Sequence, residues 1–594
     1  MLARRHWVCW LALTLVAVQL AVRAAVAFAG YFYWDDLILV GKAGTQPLLS
    51  LGYLFDDHDG HVMPGGFLLA GALTQAWPLV WAAPAASLVV LQLLASLALL
   101  RALWVILGWR PVLLVPLTFA LFSPLSLPAF AWWAAALNAL PMTTALAWVC
   151  ADAILLVRTG NQRYAITGVL AYLGGLLFFE KTAVVPFVAF AVTVLLGYVQ
   201  GERVSRAAIT VWRAGIRLWV PTLALTAGWV GVYLAVVNQR RWSLDLSMTR
   251  DLLWRSITHG IVPGLAGGPW TWARWAPASP WALPGPTVMT LGWLVLAGLL
   301  ALSALRKRRV AVVWLAAAGY AALCQVPIYL MRSSAFTALE LAQTLRYLAD
   351  LVVALALLGA VGFCAPNRGA ARWLDASVAR TVAVTALAVG FAVSSLYSTA
   401  TFAASWRDDP ARGYLQNARR ALAEARADSG APLLDFEVDP LVLQRVVYPE
   451  NLASHLFALV QDRPEFASAT SRLRMLDATG RLHDAKVTWV RTLVPGPVAR
   501  CGYLVQPDQP ATLGLDGPLL PSDWTAEINY LANADGAMTL SLSDGPPVRV
   551  RVHPGLNRVF VRLPGAGTSV VARADTAALS VCIAAGPVGH LAPA

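Results

Sequence analysis

The sequence predicts a polytopic α-helical membrane protein with a C-terminal extracytoplasmic α/β region that ends in a small β-sandwich. Three observations predict it. The chain of 594 residues is 58% hydrophobic and only 13% charged, with a mean hydropathy of +0.62. The stretch before about 404 is dominated by apolar runs of about bilayer-spanning length. The stretch 500–594 alternates instead, as in VRVRVHPGLNRVFVRL and TAALSVCIAA, with Gly, Pro, Asn and Asp at the turns.

A span needs about 20 apolar residues, and about eleven runs meet that length. They lie near 8–29, 82–107, 111–130, 134–156, 164–179, 183–200, 218–237, 287–305, 310–330, 345–363 and 380–400. The first follows Arg4 and Arg5; it is too long for a signal-peptide core and is read as a retained span. With the N-terminus in the cytoplasm, alternation puts Arg110, Arg158 with Arg163, Arg203 to Arg217, Arg306 to Arg309, and Arg368, Arg372 and Arg380 all inside. An odd count then leaves the C-terminal region outside. The net charge of +13 is thereby a topology signal, and nucleic-acid binding is not expected.

The same alternation gathers the other polar features on the outer face. The first outer loop, 30–66, carries Asp35 and Asp36 and then Asp56, Asp57, His58, Asp59 and His61. So many charges are costly in lipid, so the loop must face water or a wet cavity. Glu180 and Lys181 (FFEK), the loop 239–285 with Trp254, His259 and Arg274, and the loop Met331–Gln343 leading into Arg346 join it. After Pro64, GGFLLAGALTQAW is short for a span and is read as an interfacial helix. The tryptophans of 261–286 mark a membrane interface or stack on sugar rings.

From about 404 the composition turns mixed. Leu415, Ala418 and Leu422 are spaced for an amphipathic helix that Gly430 stops, and a further helix is expected near Asn451–Gln461. Three regions result: a transmembrane domain over 1–403, a mixed α/β region over 404–499 and the sandwich over 500–594. Cys501 and Cys582 could pair there, in an oxidising compartment, and tie its first and last strands. Cys9, Cys150, Cys324 and Cys364 fall in or beside spans and are read as packing residues.

The acidic pair Asp35-Asp36 just past the first span, led by the aromatics Tyr31 to Trp34, resembles the GT-C superfamily of integral-membrane glycosyltransferases. The likeness extends to the span number, the interfacial helix and the outer C-terminal domain. WDD, DHDGHVMPGG, FFEK and RYLAD together look like an actinobacterial branch of such proteins. The resemblance implies a bacterial plasma-membrane enzyme that moves a sugar from a polyprenyl-phosphate donor to a cell-envelope glycan, glycolipid or exported protein. It implies a first-loop carboxylate as general base, Asp36 ahead of Asp35, since two neighbours cannot both point at one hydroxyl. The leaving lipid phosphate needs a fixed cation, for which Arg346 and Lys181 are the candidates. Alternatively, Arg346 pairs with Glu340, and Lys181 with Glu180 or another acid.

His58, Asp59 and His61 can contact sugar or acceptor, ligate a divalent cation (Mg or Mn) with Asp36, or merely decorate a wet loop. No cofactor is required by the chemistry. Glu180 and His259 complete the candidate substrate contacts, His259 equally being a structural histidine. The chain lacks the WWDYG signature of oligosaccharyltransferases. A transporter of lipid-linked sugars and a non-catalytic envelope-assembly protein are the competing readings. The former expects ionisable residues at mid-membrane in paired repeats, which the sequence does not display.

Overall fold

The computed structural model describes residues 6–237, 245–334, 336–368, 377–428 and 431–594; Arg4, Arg5, Arg372 and Gly430 lie outside them. The chain divides into two compact units, Met1–Asp409 and Pro410–Ala594. The division falls just after the boundary expected at 403, because the last long helix of the first unit, Ser377–Arg407, runs past it.

The first unit is helical. Every apolar run read as a span coincides with helix, but not every helix is long enough to cross a bilayer. Among the described residues, eight are long and apolar enough, or nine if the bent pair Pro111–Phe122 and Pro124–Ala131 is one span. Arg163–Leu176 has 14 residues and Ala349–Cys364 has 16, short of the roughly 20 a bilayer asks for. By that measure eight or nine of the eleven expected runs reach spanning length and the two shorter helices do not, and the chain is a multi-pass membrane protein.

Glycine and proline set the helix limits. Ala82–Leu107 stops at Gly108 and Trp133–Thr159 stops at Gly160, both at positive φ, which glycine adopts without steric cost. Pro64, Pro111, Pro124 and Pro286 each open a helical segment, where a missing N–H costs nothing. Trp133–Thr159 is the axis of the unit: 72% of its apolar window is buried, against 11% for Pro286–Arg306. It packs on Ala82–Leu107, Arg163–Leu176, Val185–Val199 and Ala349–Cys364, so its N-terminal end is a fixed platform for whatever docks there. The stretch after Pro64 is a helix, Pro64–Ala76, laid against the helix Asp35–Thr45.

The second unit starts with the amphipathic helix Pro410–Asp428, which buries Ala411, Tyr414, Leu415, Ala418, Leu422 and Ala425 on one face. The helix expected near 451–461 is a single turn, Ala453–Leu456. Two long strands, Ala511–Ala532 and Gly555–Ala574, pair antiparallel along most of their length. Register shifts between Gly514 and Ser522, opposite Gly565 and Gly567 at positive φ, bend this ribbon so that both halves enclose one core. Beside a separate three-stranded sheet of Arg474–Leu476, Leu482–Val487 and Leu591–Pro593, nine strands join in one connected sheet around that core. Ala469–Thr470 and Arg491–Thr492 pair into that sheet, so the regions expected as 404–499 and 500–594 are joined. Cys501, in the turn before the first strand of 500–594, Tyr503–Val505, is disulfide-bonded to Cys582 in the strand paired with it, Val581–Ile583, which is not the last.

Candidate functional site

The site is built from the end of the first helix. His6–Ala29 is followed by Gly30, where a Cβ would lie 2.7 Å from the Trp406 indole nitrogen. The next three residues are buried aromatics: Phe32 meets Trp81 edge-on at 5.1 Å, and Tyr33 lies between Trp132 at 4.9 Å and Trp406 at 5.3 Å. Trp34 then adopts a φ of 43°, a turn that costs about 1–3 kcal/mol for a residue with a Cβ. It starts the helix Asp35–Thr45 with both carboxylates in its first turn, where the helix dipole favours negative charge.

The two neighbours differ completely. Asp36 is fully buried; its Oδ2 accepts from the Tyr33 N–H at 3.0 Å and its Oδ1 from the Ala134 N–H at 2.8 Å. Burial pushes its carboxyl well above the usual range, against the pull of those two donors. It fastens the first loop to the N-terminal turn of the central helix. Asp35 is half-buried and has no side-chain hydrogen bond among the described residues. Its charge acts on the Tyr33 phenol, the His58 imidazole and the Arg332 guanidinium.

Arg332, Arg346 and Tyr347 form the cationic side of this face. Arg346 Nη2 donates to the Tyr347 hydroxyl at 2.8 Å, and its guanidinium stacks 4.8 Å from the Trp132 ring and 5.0 Å from the Tyr347 ring. It is half-buried and, among the described residues, has no carboxylate partner; the expected alternative pairing with Glu340 is absent. Arg332 reaches Asp59 at 3.1 Å and approaches Tyr347 from the other side, 5.9 Å from its ring. Arg346 thus offers a guanidinium held by aromatics and not neutralised by an acid.

The second acidic cluster is folded by a tight turn. His58 and His61 exchange backbone hydrogen bonds at 3.1 and 3.0 Å across Asp59 and Gly60, both at positive φ. Asp57 Oδ1 accepts from the Gly60 N–H, and Asp56 is ion-paired with Lys42. The His58 ring is buried against Phe67; burial pushes its pKa down to about 4, so it is neutral, and its Nε2 has no protein partner. His61 bonds Glu180 through Nδ1 at 2.8 Å. The expected cation set of Asp36, His58 and His61 does not assemble: Asp36 turns to the central helix and His61 to Glu180. Among the described residues no three His, Cys, Asp or Glu side chains are grouped to hold a metal ion.

Lys181 is committed to Asp350 at 2.8 Å, and the second Asp350 oxygen accepts from the Tyr320 hydroxyl at 2.6 Å. Both partners are buried, which gives Lys181 a structural bond where a phosphate grip was expected. His259 bonds its neighbour Thr258 at 2.8 Å in a π-helical turn and makes no hydrogen bond to the first loop. The tryptophan-rich loop is strapped down: Trp270 and Trp272 donate to Ser394 and to the Ser398 carbonyl, and Arg274 pairs with Asp409 at 2.8 Å. An open apolar groove of about 390 Å³ is lined by Leu246, Leu253, Trp254, Ile257, Val326 and Leu330, the last two residues short of Arg332.

Sequence reasoning missed Arg332 and Tyr347. A signal existed for Arg332: a lone arginine closing an apolar run on the face that the positive-inside pattern assigns to the exterior.

No family model matches the chain, and no curated protein does. Among solved structures it is similar to ArnT from Cupriavidus metallidurans, solved bound to undecaprenyl phosphate. That likeness spans 77% of this chain and 85% of the other, at 13% identity and a TM-score of 0.40, too loose to place the chain in a family.

Proposed function

We propose that the protein is a membrane glycosyltransferase of GT-C type. It takes a sugar from a polyprenyl-phosphate donor and transfers it to a hydroxyl of an envelope glycan, glycolipid or exported protein on the outer side of a bacterial plasma membrane. The N-terminus is cytoplasmic and the second unit extracytoplasmic in this reading, as the distribution of basic clusters supports. The observation that carries it is the pairing of one uncommitted carboxylate, Asp35, with one uncommitted guanidinium, Arg346, on a face shared with Arg332 and Tyr347.

The chemistry assigns each part. Asp35 takes the proton of the acceptor hydroxyl as its oxygen bonds the anomeric carbon. The bond from that carbon to the phosphate oxygen breaks, and the electron pair leaves with the lipid phosphate. Arg346 meets the charge that develops there, with Arg332 next to it. Asp36, although favoured from sequence, serves as the positioning residue beneath them. His58, Asp59, His61 and Glu180 shape the polar wall toward sugar and acceptor, while Lys181 and His259 support the fold. The apolar groove ending near Arg332 offers a bed for the prenyl chain.

A transfer assay tests this. Purified protein is given a panel of radiolabelled polyprenyl-phosphate sugars and delipidated envelope acceptors, beside Asp35→Asn and Arg346→Ala. Transfer that collapses in Asp35→Asn supports the reading; full turnover in that variant refutes it. Binding of lipid-linked sugar without any transfer moves the weight to the transporter.

A further inference from the structure

Arg23 lies away from the site just described, on the buried stripe of His6–Ala29 with Val16, Gln19 and Val26. It is 4% exposed. Its Nη2 donates to Ser126 Oγ at 2.9 Å and reaches the Ser123 carbonyl at 3.4 Å, and the guanidinium sits 5.1 Å from the Phe130 ring. These partners come from the break between Phe122 and Pro124, where the helix bends by 41°. Proline removes one backbone donor and leaves carbonyls for Arg23 to cap.

That capping uses only one side of the guanidinium. Nη1 is sealed from solvent without a hydrogen-bond partner, and so is the Ser123 hydroxyl, in a residue with no exposed surface. Among the described residues no carboxylate pairs with Arg23 and no neighbouring charge acts on it. Arg101, by contrast, is ion-paired with Asp152. A guanidinium does not give up its proton, so a counter-charge would stabilise it further in an apolar interior.

We propose that Arg23 Nη1 and the Ser123 hydroxyl together bind a small monovalent anion, a halide such as chloride. Among the described residues the guanidinium Nη1 and the Ser123 hydroxyl are both buried donors without a partner, on two residues that touch at the helix break, and a small anion would satisfy both. The ion would lock the first helix to the broken one, and so the base of the first loop to the bundle.

The test is thermal unfolding of the full-length protein in detergent, titrated with sodium chloride against sodium gluconate at fixed ionic strength. A saturable rise in Tm with chloride, reproduced by bromide and absent in gluconate, is expected, as is its loss in Arg23→Gln. Ser123→Ala leaves the guanidinium in place and covers the case in which Arg23→Gln does not fold; it is expected to shift the chloride midpoint at least several-fold upward. Equal Tm in chloride and gluconate overturns the proposal. So does a chloride effect that both variants retain. Because it reads stability and not sugar transfer, the result is independent of the glycosyltransferase reading.

Discussion

The Asp36 carboxylate accepts a 2.8 Å hydrogen bond from the backbone N–H of Ala134, the second residue of the central helix. With Tyr33 as its other donor, one buried side chain fixes where Asp35, its neighbour, is presented. Two adjacent and chemically identical residues thereby have opposite surroundings, and we propose opposite duties for them.

Substitution separates those duties. Asp36→Ala strands two buried backbone donors, each worth about 1–3 kcal/mol, and is expected to lower Tm sharply or to block folding. Asp35→Asn is expected to leave Tm unchanged and to cut turnover by about 10²–10⁴-fold, the usual worth of a general base. Melting curves and transfer rates on the two variants read this directly.

Arg346→Ala is expected to raise KM for the donor by about 30- to 150-fold, the equivalent of a charged hydrogen bond of roughly 2–3 kcal/mol. Arg346→Lys should recover only part, because the flat guanidinium stacks between Trp132 and Tyr347 and an ammonium does not. Donor titration at saturating acceptor distinguishes the two.

Lys181 gives a contrasting expectation. Lys181→Ala leaves Asp350 buried and unpaired, a loss of about 3–5 kcal/mol, so the protein should be destabilised before any kinetic effect is seen. The double variant Lys181→Met with Asp350→Leu should regain much of that stability. Persistent loss of donor binding in the restored double variant would return Lys181 to the phosphate site.

Burial alone would lower the His61 pKa, but the Glu180 carboxylate, by charge and by its hydrogen bond, raises it above the ordinary 6.5. A raised histidine stabilises the fold fully below its unfolded pKa and loses that contribution as pH climbs through the higher folded value. Tm is therefore expected to fall on the alkaline side of about 6.5 in the wild type. In Glu180→Gln the fall should flatten, which melting at pH 5 to 9 would show.

The oxidised tail yields the last expectation. Replacing Cys501 or Cys582 by Ser opens a link across an 81-residue separation and should cost the second unit about 2–4 kcal/mol. Non-reducing peptide mapping of the wild type should recover the two cysteines in one linked fragment.

By itself the sequence determined the helical bundle, the strand-rich tail and the polar stretch 30–66, because apolar periodicity and charge placement are local properties that hydropathy alone enforces. It did not reveal that the runs at 164–179 and 345–363 form helices of only 14 and 16 residues, Arg163–Leu176 and Ala349–Cys364, with Phe178–Phe179 and Tyr347–Leu348 outside them. Nor could it give Asp35 and Asp36 their different surroundings, pair Lys181 with Asp350 or bring Arg332 and Tyr347 beside Arg346. Each of those depends on which partner, far along the chain, arrives first at a charged atom: Ala134 for Asp36, Asp350 for Lys181, Asp59 for Arg332. A buried polar group must be satisfied, and only the tertiary structure decides by whom.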